Sequence, residues 1–365
     1  MPQSPHTVAV ANFYKELGLP LPCPPRRVML DWEDGVVMGA LAFPGIRLRL
    51  RGAIVRAAMP GPVHFNPNAG VPFGDVGAAI ERRLMENALR RAALLGDALA
   101  LAAPQNAPPE WPAAIWAETA DIDCANAPPP RENSFAPLEN HMQKWHRCLK
   151  IRAAQSGAAV CASPATLTAR LNAHLQQADA HALAGLHPEG RMSGWWLGFC
   201  RGSHAETVYS DGDEAFYSRL PGAIQQLGAK SLRLLGAVNT GLSGAALAGQ
   251  GGETRQIPIL HGRVINAEKL LHALPAEAEG CAALYIEDEI FTKNHGLWQI
   301  EGRPTGVTAA KIQTGASQNA SRVTAGSLAA FLLGDTMAPQ GSREDCLVLA
   351  RMFPPINSCV WACAI

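Results

Sequence analysis

The stretch Pro60–Ala103, PGPVHFNPNAGVPFGDVGAAIERRLMENALRRAALLGDALALAA, decides the fold. It reads as a short apolar strand, a glycine-rich loop, a long helix and a second strand. Ile80, Leu84, Ala88 and Leu95 recur at helical spacing, whereas Glu81, Arg82, Glu86, Arg90 and Arg91 fall elsewhere around the helix. That pattern is an amphipathic helix packed on a sheet. A helix N-terminus leaves its first amides unpaired and carries about half a positive charge, so glycines ahead of it let N–H groups close on a phosphate or pyrophosphate. Gly70, Gly74 and Gly77 stand where that is possible, but no Gly-Lys-Ser/Thr follows, and Gly74-Asp75-Val76-Gly77 lacks the three-glycine dinucleotide signature. The same glycines also serve as turn residues (Gly70, Gly74) and as a close-packing point on the helix (Gly77).

Upstream, Arg27–Leu30, Gly35–Phe43 and Ile46–Met59 cluster or alternate apolar residues between turn signals and predict successive antiparallel strands. Downstream, two soft stretches stand out, the proline-rich Asn126–Arg131 and the Gly/Ala-rich Asn239–Glu253. Between them the spacing predicts helices over Phe135–Ser156, Ala165–Ala178 and Glu214–Leu227, and strands over Gly194–Cys200, His204–Tyr209 and Ser231–Leu235. After Ile259 it predicts helices at Ala267–Leu274 and Ala325–Leu333, with strands at Cys281–Glu287, Leu297–Ile300 and Gly306–Thr314.

With 365 residues the chain exceeds one ordinary core. Lys plus Arg and Asp plus Glu are equal at 31 each, so no overall field attracts polyanions and no nucleic-acid partner is expected. No run reaches the roughly 18 apolar residues that span a bilayer, and the start lacks a secretory pattern, so a cytoplasmic protein without a membrane partner is expected. Nine scattered cysteines suggest neither a disulfide framework nor a zinc knuckle, and no metal site is expected.

The order of strands ending in Val63, Phe65 and Pro67, then the glycine loop, the helix and the strand closing on Ala-Leu-Ala-Leu-Ala-Ala, resembles the acetyl-CoA-binding core of the GNAT acyltransferases. Further on, RVINAEKLL from Arg263, LYIEDEIFTKNHGLWQI from Leu284, TAGSLAAFLLGD from Thr324 and Met352-Phe-Pro-Pro resemble the C-terminal part of the enhanced-intracellular-survival acetyltransferases. That resemblance implies an α+β chain: a GNAT-like domain at 1–131, a second, degenerate GNAT-like domain at 132–256 and a sterol-carrier-like domain at 257–365. It implies acetyl-CoA as donor substrate, a small-molecule or peptide amine as acceptor, and a homo-oligomer. The backbone at Val63 and Phe65 is expected to hold pantetheine, and the amides of Gly74, Asp75, Val76, Gly77 and Ala78 the pyrophosphate.

The family's catalytic groups carry over incompletely. Its acid tyrosine falls at Trp111, whose indole N–H is not an acid near neutral pH. The family's base, the terminal carboxylate, corresponds to Ile365, and His64 beside the expected bulge is a second candidate base, although a lone His in an apolar strand is more often structural. The family's basic loop is replaced by a stretch with no basic residue and with Asp75, which either repels a pyrophosphate or caps the helix. Glu287–Glu289 reads as a solvated acidic edge, and Trp195, Trp196 and Trp298 as core. Two functions follow: an acyl-CoA-dependent N-acyltransferase, or an inactive GNAT-like scaffold that binds a ligand or partner.

Overall fold

The computed structural model describes residues 4–70, 74–132, 134–155, 157–237, 254–312, 320–334, 339–356 and 358–359. Contacts divide the chain into two units. One comprises 1–48, 53–114 and 260–355, and the other 49–52, 115–259 and 356–365.

The chain begins with helix α1 (Pro5–Glu16), capped by Ser4, whose hydroxyl accepts from Thr7 N. Strands β1 (Val28–Glu33), β2 (Val36–Ala42), β3 (Gly45–Leu50), β4 (Ala53–Ala58) and β5 (Val63–Phe65) follow, then α2 (Asp75–Leu94) and β6 (Leu99–Ala102). The expected single strand Ile46–Met59 is two strands, because Arg51 and Gly52 turn the chain with φ of +50° and +86°. Helix α1 packs Val10, Phe13 and Tyr14 on Val28, Leu30, Ala40 and Ala42. On the other cluster Ile80, Leu84, Ala88 and Leu89 of α2 meet Leu41, Phe43, Ala100 and Ala102. Strands β1, β2 and β5 form a three-stranded sheet between these clusters.

The other unit is built from β7 (Ala113–Asp123), β8 (Phe135–Pro137), α3 (Met142–Gln155), β9 (Ala158–Val160), α4 (Pro164–Leu175), β10 (Ala180–Leu186), β11 (Met192–Arg201), β12 (His204–Gly212), α5 (Glu214–Gln226) and β13 (Ser231–Ala237). The helix expected over Phe135–Ser156 starts only at Met142: Pro137 disfavours helix in the residue before it, Phe135–Pro137 is strand β8, and Leu138–His141 forms a single 3-10 turn. Its strands lie in the order β7-β13-β12-β11-β10-β8. Trp196, Phe216, Tyr217 and Leu220 fill the core under α5. Asn126–Arg131 is irregular, as its prolines require, and Asn239–Glu253 lies outside the described residues.

The last third supplies β14 (Arg255–Val264), α6 (Ala267–Ala273), β15 (Gly280–Glu287), β16 (Gly296–Arg303), β17 (Gly306–Lys311), β18 (Ser321–Thr324), α7 (Ala325–Leu333), α8 (Arg343–Met352) and β19 (Ser358–Cys359). His261–Val264 of β14 pair antiparallel with Leu99–Ala102 of β6. Four strands form the sheet β17-β16-β15-β18. Asp288 corrects the expectation of a solvated acidic edge: it is 4% exposed and accepts from Arg263, Asn294 and the amides of Ile290 and Phe291. No helix among the described residues is long and apolar enough to cross a membrane.

Candidate functional site

Two neighbouring strands part company in the first unit. Strand β4 pairs parallel with β6 at Ala57–Leu99 and Ala58–Ala100. Beyond Ala58 come Met59-Pro60-Gly61-Pro62, and the two prolines remove the donors that would extend the ladder. Met59 N–H turns to Pro44 O at 2.8 Å, and the chain resumes as β5, which among the described residues pairs with β2 alone. On the far side Leu101 and Ala102 stay with β14. Among the described residues β5 and the end of β6 therefore form no ladder with each other and diverge like the sides of a wedge.

The register fixes what faces the wedge. Val63, His64 and Phe65 lie opposite Leu41, Ala40 and Gly39, and Asn66 N–H donates to Met38 O at 2.9 Å. Antiparallel alternation then gives His64 the peptide groups that engage β2 and directs those of Val63 and Phe65 outward. The side chains divide in the opposite sense. Val63 and Phe65 pack toward the α2 cluster. The half-buried His64 lies on the α1 side, with its ring edge-on to Tyr14 at 5.9 Å.

Tyr14 is a residue that the sequence reading left unused, because α1 itself went unrecognised. The side chain is 2% exposed, and its hydroxyl has no hydrogen-bond partner among the described residues. Burial, reinforced by the Cys23 thiol, pushes its pKa up to about 12, so the phenol keeps its proton at neutral pH.

At the mouth of α2, Gly74 occupies the N-cap with φ +117° and ψ −142°, a conformation open almost only to glycine. Among the described residues no side chain caps this helix, and the Gly74 carbonyl accepts from Ala78 N–H at 3.0 Å. Asp75 stands in its first turn rather than at the cap, where its charge favours the helix dipole without occupying the amides. Val76 and Ala78 are exposed and Gly77 is buried.

The second unit has a similar strand–helix–strand sequence with the opposite outcome. Strands β12 and β13 remain paired through Ser210–Gly236, and Ser210 Oγ donates to Leu235 O at 2.7 Å. The Asp213 carboxylate accepts from Phe216 N–H at 2.9 Å and so caps α5. A Cβ on Gly212 would lie 2.4 Å from the Phe216 ring. That helix mouth is filled by protein atoms.

Comparison with known proteins bears on the fold. No family model and no curated protein matches the sequence. Among solved structures, a conserved Enterococcus faecalis V583 protein described as a probable N-acyltransferase aligns over 91% of this chain and 88% of its own, with TM-score 0.71 and 16% identity. A GCN5-related N-acetyltransferase from Anabaena variabilis aligns over 96% and 92%, with TM-score 0.69 and 13% identity. Eis1 from Mycobacterium abscessus aligns over 99% and 98%, with TM-score 0.65 and 14% identity. The chain has the GNAT fold.

On this GNAT scaffold Trp111 is 2% exposed in the α2 cluster, with its indole N–H unpartnered among the described residues. Its carbonyl accepts from His261 Nδ1 at 2.7 Å. Trp195, Trp196 and Trp298 are core residues, each at most 4% exposed. Ile365 lies outside the described residues. Among the described residues no three His, Cys, Asp or Glu side chains converge as metal ligands.

Proposed function

We propose that the chain is an acyl-CoA-dependent N-acyltransferase that uses acetyl-CoA to acylate a small-molecule or peptide amine. The reading is supported by one observation: beyond Ala58 and Ala100 the ladder between the two strands ends, and register turns the peptide groups of Val63 and Phe65 away from β2, with no ladder partner among the described residues. In this reading those groups hydrogen-bond the amides of pantetheine as an added strand would. The amides of Gly74, Asp75, Val76 and Gly77 receive the pyrophosphate, a role supported by an α2 N-terminus with no side-chain cap among the described residues; Ala78, expected to join them, instead donates its N–H to Gly74 O at 3.0 Å. The amine nitrogen attacks the thioester carbonyl, the C–N bond forms, the C–S bond breaks and the coenzyme leaves as thiolate. His64 takes the amine proton and Tyr14 holds the imidazole edge-on. The terminal carboxylate of Ile365 is the other candidate base.

The three segments 1–131, 132–256 and 257–365, the last sterol-carrier-like, and a cytoplasmic homo-oligomer belong to the same proposal. A second reading, a scaffold that binds a ligand or partner without transferring an acyl group, draws support from Trp111, a buried indole where the related enzymes place an acid.

Calorimetric titration with acetyl-CoA, run beside a thiol-release assay with an amine panel, tests both. Micromolar binding that disappears in Gly77→Trp, with thiol release, supports the transferase. Binding without thiol release favours the scaffold, and no heat at millimolar coenzyme removes both as coenzyme-dependent readings.

A further inference from the structure

We propose that the first unit carries a second anion site, separate from the wedge, for a small phosphate-bearing molecule with two or more negative charges. An open pocket of about 490 Å3 lies between the segment entering β1 and the β2–β3 turn, lined by residues that include Cys23, Arg26, Arg27, Gly45, Arg47 and Arg56. None of its lining residues is Asp or Glu. Arg27 is buried and held by Asp97 through contacts of 2.8 and 3.1 Å, while Arg56, half-exposed, reaches the same carboxylate at 3.4 Å. Arg26 and Arg47 are exposed and have no carboxylate partner among the described residues. Four arginines less one Asp97 leave three positive charges around one concavity, in a chain whose totals of 31 and 31 cancel.

The arrangement is built. A Cβ at position 45 would lie 2.6 Å from the Arg27 guanidinium carbon, so Gly45 is what lets Arg27 cross to Asp97. Like charges gathered in a concavity repel unless a counter-ion occupies it, and planar guanidinium groups match phosphate oxygens in pairs. A multiply charged oxyanion satisfies both demands, and the volume limits it to a small molecule. The pocket lies at the Pro44 end of β2. Phe65 pairs with Gly39, five residues before Pro44, which is about 17 Å along an extended strand.

The probe is inorganic pyrophosphate, titrated calorimetrically into the full chain at low salt. We expect saturable binding that weakens about tenfold in Arg26→Gln or Arg47→Gln and roughly a hundredfold in the double variant. Ala78→Glu, which places a carboxylate at the α2 mouth, controls for binding there and should leave the pocket's share of the heat intact. Circular dichroism checks that the variants fold. The proposal is overturned by absence of binding to the wild type, or by binding that survives the double variant and vanishes in Ala78→Glu. Two classes of site, one removed by each change, support it.

Discussion

Arg27 and Asp97, seventy residues apart in sequence, meet as a buried two-pronged ion pair that ties the entrance of β1 to the loop before β6. The Asp97 side chain has no exposed surface. Removing one partner leaves the other charge buried and uncompensated, so Asp97→Ala should cost about 3–5 kcal/mol. The midpoint of urea unfolding measures this, and an unchanged midpoint would show that the pair contributes nothing net.

Among the described residues nothing lies within 4 Å of where a Cβ on Gly74 would stand, so crowding by them does not dictate glycine there. Its φ of +117° does. Gly74→Ala should therefore lower stability by about 1–3 kcal/mol, or fray the first turn of α2, purely through the backbone. Thermal unfolding with amide exchange at Val76–Ala78 reads the effect; wild-type stability and protection would refute it.

The hydroxyl of Tyr14 is buried with no hydrogen-bond partner among the described residues, while its ring contacts Phe13 and His64. Tyr14→Phe keeps the ring and removes only a desolvated polar group, so stability should change by less than about 1 kcal/mol and in the stabilising direction. A larger loss in chemical denaturation would mean that the hydroxyl is satisfied in solution.

Asp211 is buried in the second unit, with Arg152 Nε at 3.6 Å. Burial pushes its pKa from 3.8 to about 6, against the opposing pull of Arg152 and of the Gly212 amide. Between these values the folded chain keeps a proton that the unfolded chain has lost. The stability this group contributes is thus complete below 3.8 and falls as pH rises through about 6. Asp211→Asn should flatten that decline and leave stability above pH 6 equal or greater. Unfolding midpoints across the pH series test it, and an unaltered slope would sink the assignment.

Much of the meander and helix was legible locally. The spacing of Ile80, Leu84 and Ala88 placed α2, and all three are buried. Turn residues bounded β1 and β2. Helix α1 escaped because Pro5–Glu16 carries only a narrow apolar face, Val10, Phe13 and Tyr14, and so the contact of Tyr14 with His64 escaped too. The alternation of Arg47, Arg49 and Arg51 was visible in GIRLRLR, but nothing in it shows that Arg47 borders the same pocket as Arg26 and Arg56.

The sequence by itself determined the periods and the breaks: which stretches coil at 3.6 residues per turn, which extend, and where Pro60 and Pro62 end a ladder, because these depend on neighbours along the chain. Only the tertiary structure decided that β5 stays with β2 while β6 goes to β14, that Asp213 closes one helix mouth while α2 has no side-chain cap among the described residues, and that Asp288 is buried. Each depends on groups far apart in sequence competing for the same hydrogen bonds and the same exclusion from water, and that competition is settled only when the strands are side by side.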